Sequence, residues 1–217
     1  MDKINILDKV ENYVKELSIG DPTGHDWWHV WRVRRTAKTI AAKEGGDLFV
    51  IELAALLHDI GDWKFNDADE AAGSKKTAVL LGGSGVDEKT IARVGEIVDN
   101  VSFKGAGVGN KITTKEGMIV QDADRLDVIG AIGIARVLAY GGSVGREIYD
   151  PDTKPKLHKT FESYKNNKSS SINHFYEKVL LLKDRLNTKT AKEMAAQRHE
   201  FLEKYLDQFF GEWEGEI

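Results

Sequence analysis

Ile51-Glu52-Leu53-Ala54-Ala55-Leu56-Leu57-His58-Asp59-Ile60-Gly61-Asp62 is the stretch on which the reading of this chain turns. An almost wholly apolar segment runs straight into a histidine and an aspartate. Burying both polar groups is costly unless something compensates them. A divalent cation does so, because imidazole and carboxylate together suit Mn, Fe, Co, Ni or Zn, and carboxylate also accepts Mg. Upstream, Asp47 is placed to cap a helix carrying Phe49, Ile51, Leu53, Ala54, Leu56 and Leu57 toward His58-Asp59.

Apolar residues recur at helical spacing along most of the chain. Ile4, Leu7, Val10, Val14 and Leu17 form one stripe, ended by Gly20-Asp21-Pro22. A second helix is expected over 26–43, with Val30, Val33, Ala37, Ile40 and Ala41 on one face and Gly45-Gly46 stopping it. Further helices are expected over 70–81, 87–101, 116–124, 125–140, 172–186 and 188–210. The three prolines, Pro22, Pro151 and Pro155, all sit in turn-like contexts. No stretch carries the alternation of a half-buried strand, so the expected fold is an all-α, single-domain helical bundle over residues 1–217. Two glycine-rich stretches, 102–114 and 141–156, separate the helices and read as functional or mobile loops.

Composition narrows the function. A chain of 217 residues can bury a sizeable core. With a net charge of −4 it has no basic field to attract nucleic acid, and with no Cys it has no disulfide, thiolate site or cysteine nucleophile. Its start reads as charged and amphipathic, unlike a signal peptide, and no apolar run approaches the roughly 20 residues of a membrane span. A soluble cytoplasmic protein without membrane or nucleic-acid partners is the expectation.

Two further candidate ligands stand far from His58-Asp59. His29 lies in His25-Asp26-Trp27-Trp28-His29-Val30-Trp31-Arg32-Val33, and Asp124 in Gln121-Asp122-Ala123-Asp124-Arg125-Leu126-Asp127. His25-Asp26 competes with His29 for the first position. The order His, His-Asp, Asp, with Arg32-Val33 after the first and Arg125-Leu126 after the last, resembles the HD superfamily of metal-dependent phosphohydrolases. That resemblance selects His29 and implies a divalent-metal site made by His29, His58, Asp59 and Asp124. His174-Phe175-Tyr176-Glu177-Lys178, Leu182-Lys183-Asp184, Asn187-Thr188, Arg198-His199 and Glu212-Trp213 extend it over nearly the whole chain. They are similar to a bacterial subgroup of stand-alone HD proteins regarded as nucleotide phosphohydrolases.

The implied reaction is hydrolysis of a small phosphorylated substrate. The leading substrate is a nucleoside or deoxynucleoside triphosphate, cleaved to monophosphate and pyrophosphate. Such a site supplies its nucleophile from water, which fits the absence of Cys and of a Gly-x-Ser-x-Gly elbow. Asp62, one turn beyond Asp59, is the candidate base, and Lys64 the candidate to grip phosphate and assist catalysis. His25 and Lys178 join Lys64 as substrate-binding candidates. Arg125, Arg136, Arg146 and Arg198 are further cations, expected to cover solvated faces. Asp122 and Asp127 are expected at the surface. Trp27, Trp28, Trp31 and Trp63 are expected to pack in the core or wall the site. Other readings are a phosphomonoesterase or cyclic phosphodiesterase, a non-catalytic metal- and nucleotide-binding sensor, and a dinuclear iron oxygenase.

Overall fold

The computed structural model describes residues 2–21, 23–60, 72–103, 107, 109–158, 160, 162 and 169–217. Among these, the helices in chain order are α1 (Lys3–Leu17), α2 (Trp27–Glu44), α3 (Leu48–Leu57), α4 (Ala72–Gly82), α5 (Glu88–Asn100), α6 (Lys115–Asp127), α7 (Ala131–Ser143) and α8 (Ser171–Glu177). A 3-10 helix (Val179–Arg185) and α9 (Lys189–Trp213) follow, and the described residues contain no strand. The all-α reading therefore holds. No single helix among the described residues is long and apolar enough to cross a membrane. Two compact units are present, one of Met1–Phe103 and Gly109–Asp124, the other of Lys104–Val108 and Arg125–Ile217.

The first unit is organised around α3. This helix is apolar on every side, and Phe49 to Leu57 are all buried, as a helix surrounded by other helices must be. α1, α2 and α5 pack against it. The single charged residue in that stretch, Glu52, is held by Arg34 at 2.7 Å and Lys38 at 3.2 Å, and Arg34 also reaches Glu11 of α1. A buried carboxylate with its cations in place is tolerated where a lone one would not be. Asp47 caps α3 as expected, its side chain accepting from the Phe49 N–H.

The start of α6 is tied to the start of α3. Glu116 Oε1 accepts the Asp47 N–H at 2.9 Å and pairs with Arg93 at 3.2 Å, while Lys115 Nζ donates to the Glu44 carbonyl. Burial pushes the Glu116 carboxyl pKa up, but the Asp47 and Glu116 N–H groups and Arg93 outweigh it, and the net shift is downward. A carboxyl depressed in the folded state contributes stability above its ordinary titration range, lost as pH falls through the lowered value. Glu116→Gln is therefore expected to lower the melting temperature at pH 7. That deficit should shrink below about pH 4, where wild-type Glu116 is itself neutralised. A deficit that stays constant from pH 7 to pH 3 would show that the charge on Glu116 does not matter.

The second unit buries Ile134, Val137, Ile172, Phe175, Val179, Leu202 and Leu206 between α7, α8, the 3-10 helix and α9. After α7, residues 147–156 are held at several points. Ser171 and Ile172 N–H groups donate to the Glu147 and Ile148 carbonyls, and Asn173 Nδ2 donates to Thr153 O at 2.7 Å. Buried Glu177 accepts the Lys156 N–H at 3.0 Å, and the Tyr149 ring meets Phe209, Phe210 and Trp213 edge-on.

Two expected boundaries shift. The continuous helix expected over 172–186 is broken at Lys178 (φ −139°, ψ −60°) and resumes as 3-10. With three residues per turn, Val179 and Leu182 fall on one buried face. The break expected between 124 and 125 lies instead after Asp127, where Gly130 takes φ +83°, a conformation that favours glycine. Thr188 caps α9, its side chain accepting the Ala191 N–H.

Candidate metal centre

Three elements of the first unit deliver the candidate ligands. Asp26 caps α2 in extended conformation (φ −73°, ψ 174°), and its Oδ1 accepts the His29 N–H at 2.9 Å. The cap thus fixes the first turn, from which the fully buried His29 projects. α3 ends at Leu57, and His58 and Asp59 follow just beyond its last turn. His58 keeps helical backbone angles, and its Nδ1 lies 2.9 Å from the Ala55 carbonyl. A carbonyl can only accept, so Nδ1 carries the proton and Nε2 is left with an open lone pair. Asp124 stands on α6, anchored at its N-terminal end by Glu116.

The four side chains converge. His29 Nε2 lies 3.0 Å from His58 Nε2, 3.3 Å from Asp59 Oδ2 and 3.6 Å from Asp124 Oδ1. His58 Nε2 lies 3.4 Å from Asp59 Oδ2 and 3.9 Å from Asp124 Oδ1. Ligands about 2.1 Å from one ion stand about 3.4 Å apart in a tetrahedron, or about 3.0 and 4.2 Å apart in an octahedron. The observed separations fall in that range. Two buried imidazole nitrogens face each other, one of them necessarily a bare acceptor, and two groups of three, His29–His58–Asp124 and His25–His29–Asp59, offer donors suited to a divalent cation. Asp59 is 18% exposed at its side chain. Burial raises its pKa, but the neighbouring His58 and His25 rings and hydrogen bonds from His25 and His29 outweigh this and hold it well below the usual carboxylate range. It is an anion at neutral pH.

His25 joins the cluster from the residue before the cap. Its Nδ1 lies 2.9 Å from Asp59 Oδ2, and its ring meets His29 edge-on at 5.5 Å between centroids. Asp62, Lys64 and Trp63 lie outside the described residues. Lys178 lies at the junction of α8 and the 3-10 helix, in the second unit.

Several expectations are corrected. Asp122 and Asp127 are buried, not at the surface: in the second unit Asp127 pairs with Arg136 at 3.2 Å, a partner nine residues on in the next helix. Three cations expected on solvated faces serve the second unit's backbone and core. Arg125 donates to the Arg185 carbonyl, Arg198 to Leu126 O at 2.5 Å, and Arg136 to Asp127. Arg146 stacks over Tyr140. Trp27 is core, whereas Trp28 is 58% and Trp31 38% exposed, the two meeting edge-on.

Residues that sequence reasoning passed over also support the site. Asn110 and Gln121 exchange amide hydrogen bonds at 2.9 and 3.2 Å, and Gln121 also donates to Val101 O. This fixes the end of the glycine-rich stretch to α6, one turn ahead of Asp124. Nothing in the spacing of those two amides signals the pairing. Glu116 had a local signal, an acidic residue in a helix's first turn, but its partners come from other helices.

Comparison with known proteins identifies the family. The model of the HD domain family matches residues 27–129. Bacillus subtilis YpgQ is 35% identical over 209 residues, covering 96% of this chain and 94% of that protein. Its crystal structure in complex with ADP superposes with a TM-score of 0.73, covering 94% of this chain and 95% of that one. A Lactobacillus plantarum protein of known structure is 39% identical, with a TM-score of 0.88 over 97% of this chain and 98% of that one. An HD-superfamily hydrolase from Bacillus thuringiensis is 40% identical, with a TM-score of 0.73 over 98% of both chains. Motif, helical architecture and similarity over nearly the full length agree: the chain belongs to the HD superfamily of metal-dependent phosphohydrolases.

Proposed function

We propose that this chain hydrolyses a nucleoside or deoxynucleoside triphosphate to the monophosphate and pyrophosphate, using one divalent cation held by His29, His58, Asp59 and Asp124. The two imidazoles lie 3.0 Å apart and each lies 3.3–3.9 Å from both carboxylates, and this convergence carries the reading. The ADP complex of YpgQ supports a nucleotide as the substrate class. Mn(II) is the first cation to test, since mixed imidazole and carboxylate donors accept it readily.

A bound cation of this kind acidifies water and polarises a phosphoryl oxygen. The chain's own part is to place and neutralise. Asp62 takes the proton of the attacking water as a bond forms to the α-phosphorus. The bond from that phosphorus to the α,β-bridging oxygen breaks, and pyrophosphate leaves with the electron pair. Lys64 meets the phosphate charge. His29 and His58 are buried, with the His58 ring oriented by the Ala55 carbonyl, and need little reorganisation during the step.

The test is product identity. Metal-stripped protein reloaded separately with Mn, Mg, Co, Ni, Fe or Zn is offered a panel of nucleoside and deoxynucleoside triphosphates. Pyrophosphate and monophosphate are the expected products. With nucleoside monophosphates and cyclic nucleotides offered as well, orthophosphate released from monophosphates alone would establish a phosphomonoesterase, turnover of cyclic nucleotides alone a phosphodiesterase, and binding without turnover under any metal a sensor.

A further inference from the structure

The four-donor cluster leaves one titratable neighbour without a place in it. His25 lies before the α2 cap, and its Nδ1 lies 2.9 Å from Asp59 Oδ2, the oxygen that His58 Nε2 meets at 3.4 Å. We propose that His25 is a positioning residue: its Nδ1–H donates to Asp59 Oδ2 and fixes that carboxylate for the metal. The proposal rests on the four-ligand reading above.

The local backbone holds His25 in place. Gly24 takes φ +80°, a conformation that favours glycine. Asp26 then commits its side chain to the His29 N–H. One turn of chain therefore places both imidazoles, His29 directly at the ion and His25 behind its neighbouring carboxylate. A carboxylate just past a helix end has two rotatable bonds and two oxygens, and a donor on Oδ2 selects one orientation. Such outer hydrogen bonds orient ligands, and their removal typically costs about 10–100-fold in metal affinity.

A second ion is the competing use of His25, since His25, His29 and Asp59 also form a group able to hold one. His29 Nε2, however, has one lone pair. That nitrogen cannot serve this trio and the His29–His58–Asp124 trio at once. The contact of His25 is moreover a hydrogen-bond distance to an oxygen that already faces both other imidazoles. Direct proton donation to a leaving group is the other competing use; it would run through Nε2, the nitrogen that Asp59 does not engage, and its loss would persist at saturating Mn.

The deciding measurement is Mn(II) binding to the metal-stripped full chain by isothermal titration calorimetry. Wild type, His25→Ala, His25→Phe and His25→Asn are compared, with circular dichroism on each. Wild type should bind one ion. Ala and Phe, the latter keeping the ring volume without a donor, should weaken binding about 10–100-fold. Asn, whose amide N–H falls where Nδ1–H was, should return affinity to within a few-fold of wild type. With saturating Mn, kcat of all three variants should approach wild type. Unchanged Mn affinity in both Ala and Phe would overturn the proposal, as would a kcat loss that persists at saturating Mn and is not rescued by Asn. Two ions in wild type and one in the variants would make His25 a ligand instead. No stoichiometric binding by wild type would overturn the four-ligand reading itself, a result distinct from the others.

Discussion

His58→Ala and Asp59→Ala are each expected to strip the protein of its divalent ion and of all measurable hydrolysis, while leaving a helical protein. His58 is the more buried of the two, with Nδ1 engaged by Ala55 and Nε2 turned to His29 at 3.0 Å. Its removal takes away a donor that no neighbour can replace. Asp59 removes one of two negative charges and the acceptor for His25. Loss of a direct ligand should exceed the roughly 10–100-fold typical of a supporting residue. Both residues lie beyond the end of α3, whose burial of Phe49 to Leu57 does not depend on them, so far-UV circular dichroism should change little. A modest loss of stability follows from the imidazole and carboxylate partners left unpaired. Metal content by inductively coupled plasma analysis decides the matter. If either variant keeps a full equivalent of ion through dialysis, that residue is not a ligand.

Asp62→Asn should lower kcat by about 10²–10⁴-fold with little change in Mn affinity. The substitution preserves size and most hydrogen bonding but removes the ability to accept a proton, so it isolates the base from packing. Lys64→Ala should act differently, mainly raising KM, because a cation that grips phosphate equally in ground and transition states affects binding more than turnover. Two residues that are only two positions apart would thus separate water activation from phosphate binding. A wild-type kcat for Asp62→Asn at neutral pH, measured with saturating Mn, would move the base elsewhere. A kcat loss in Lys64→Ala with unchanged KM would place Lys64 in the transition state.

The helical class and the candidate pair His58-Asp59 were legible in the chain because each rests on local chemistry. Stripes such as Val30, Val33, Ala37 and Ile40 dictate which face of a helix is apolar, and all four are buried. Asp26, Asp47, Asp87 and Thr188 are short side chains that accept backbone N–H groups, and all four cap helices. A histidine and aspartate ending an apolar helix announce a compensating partner wherever the rest of the chain lies. Resemblance supplied His29 and Asp124. Their spacing from His58 carries no information about distance in space, and only the packing of α2 and α6 beside α3's end shows that the four side chains meet.

Which polar residues are buried was decided by tertiary structure. Asp122 and Asp127 look like Asp124 in sequence, yet one helix turns the three toward different surroundings, and Asp127 depends on an arginine in the next helix. Arg125 and Arg198 read as surface cations but satisfy carbonyls at Arg185 and Leu126, and a backbone acceptor leaves no mark in side-chain sequence. Neighbouring tryptophans divide the same way: Trp27 faces inward and Trp28 outward because adjacent helical positions point about 100° apart. His25 is the sharpest case. Sequence offers it as a rival of His29 for the same ion, whereas the cap at Asp26 sends one imidazole into the cluster and sets the other against Asp59. Composition and periodicity act residue by residue, but the partner of a polar side chain is a property of the packed whole.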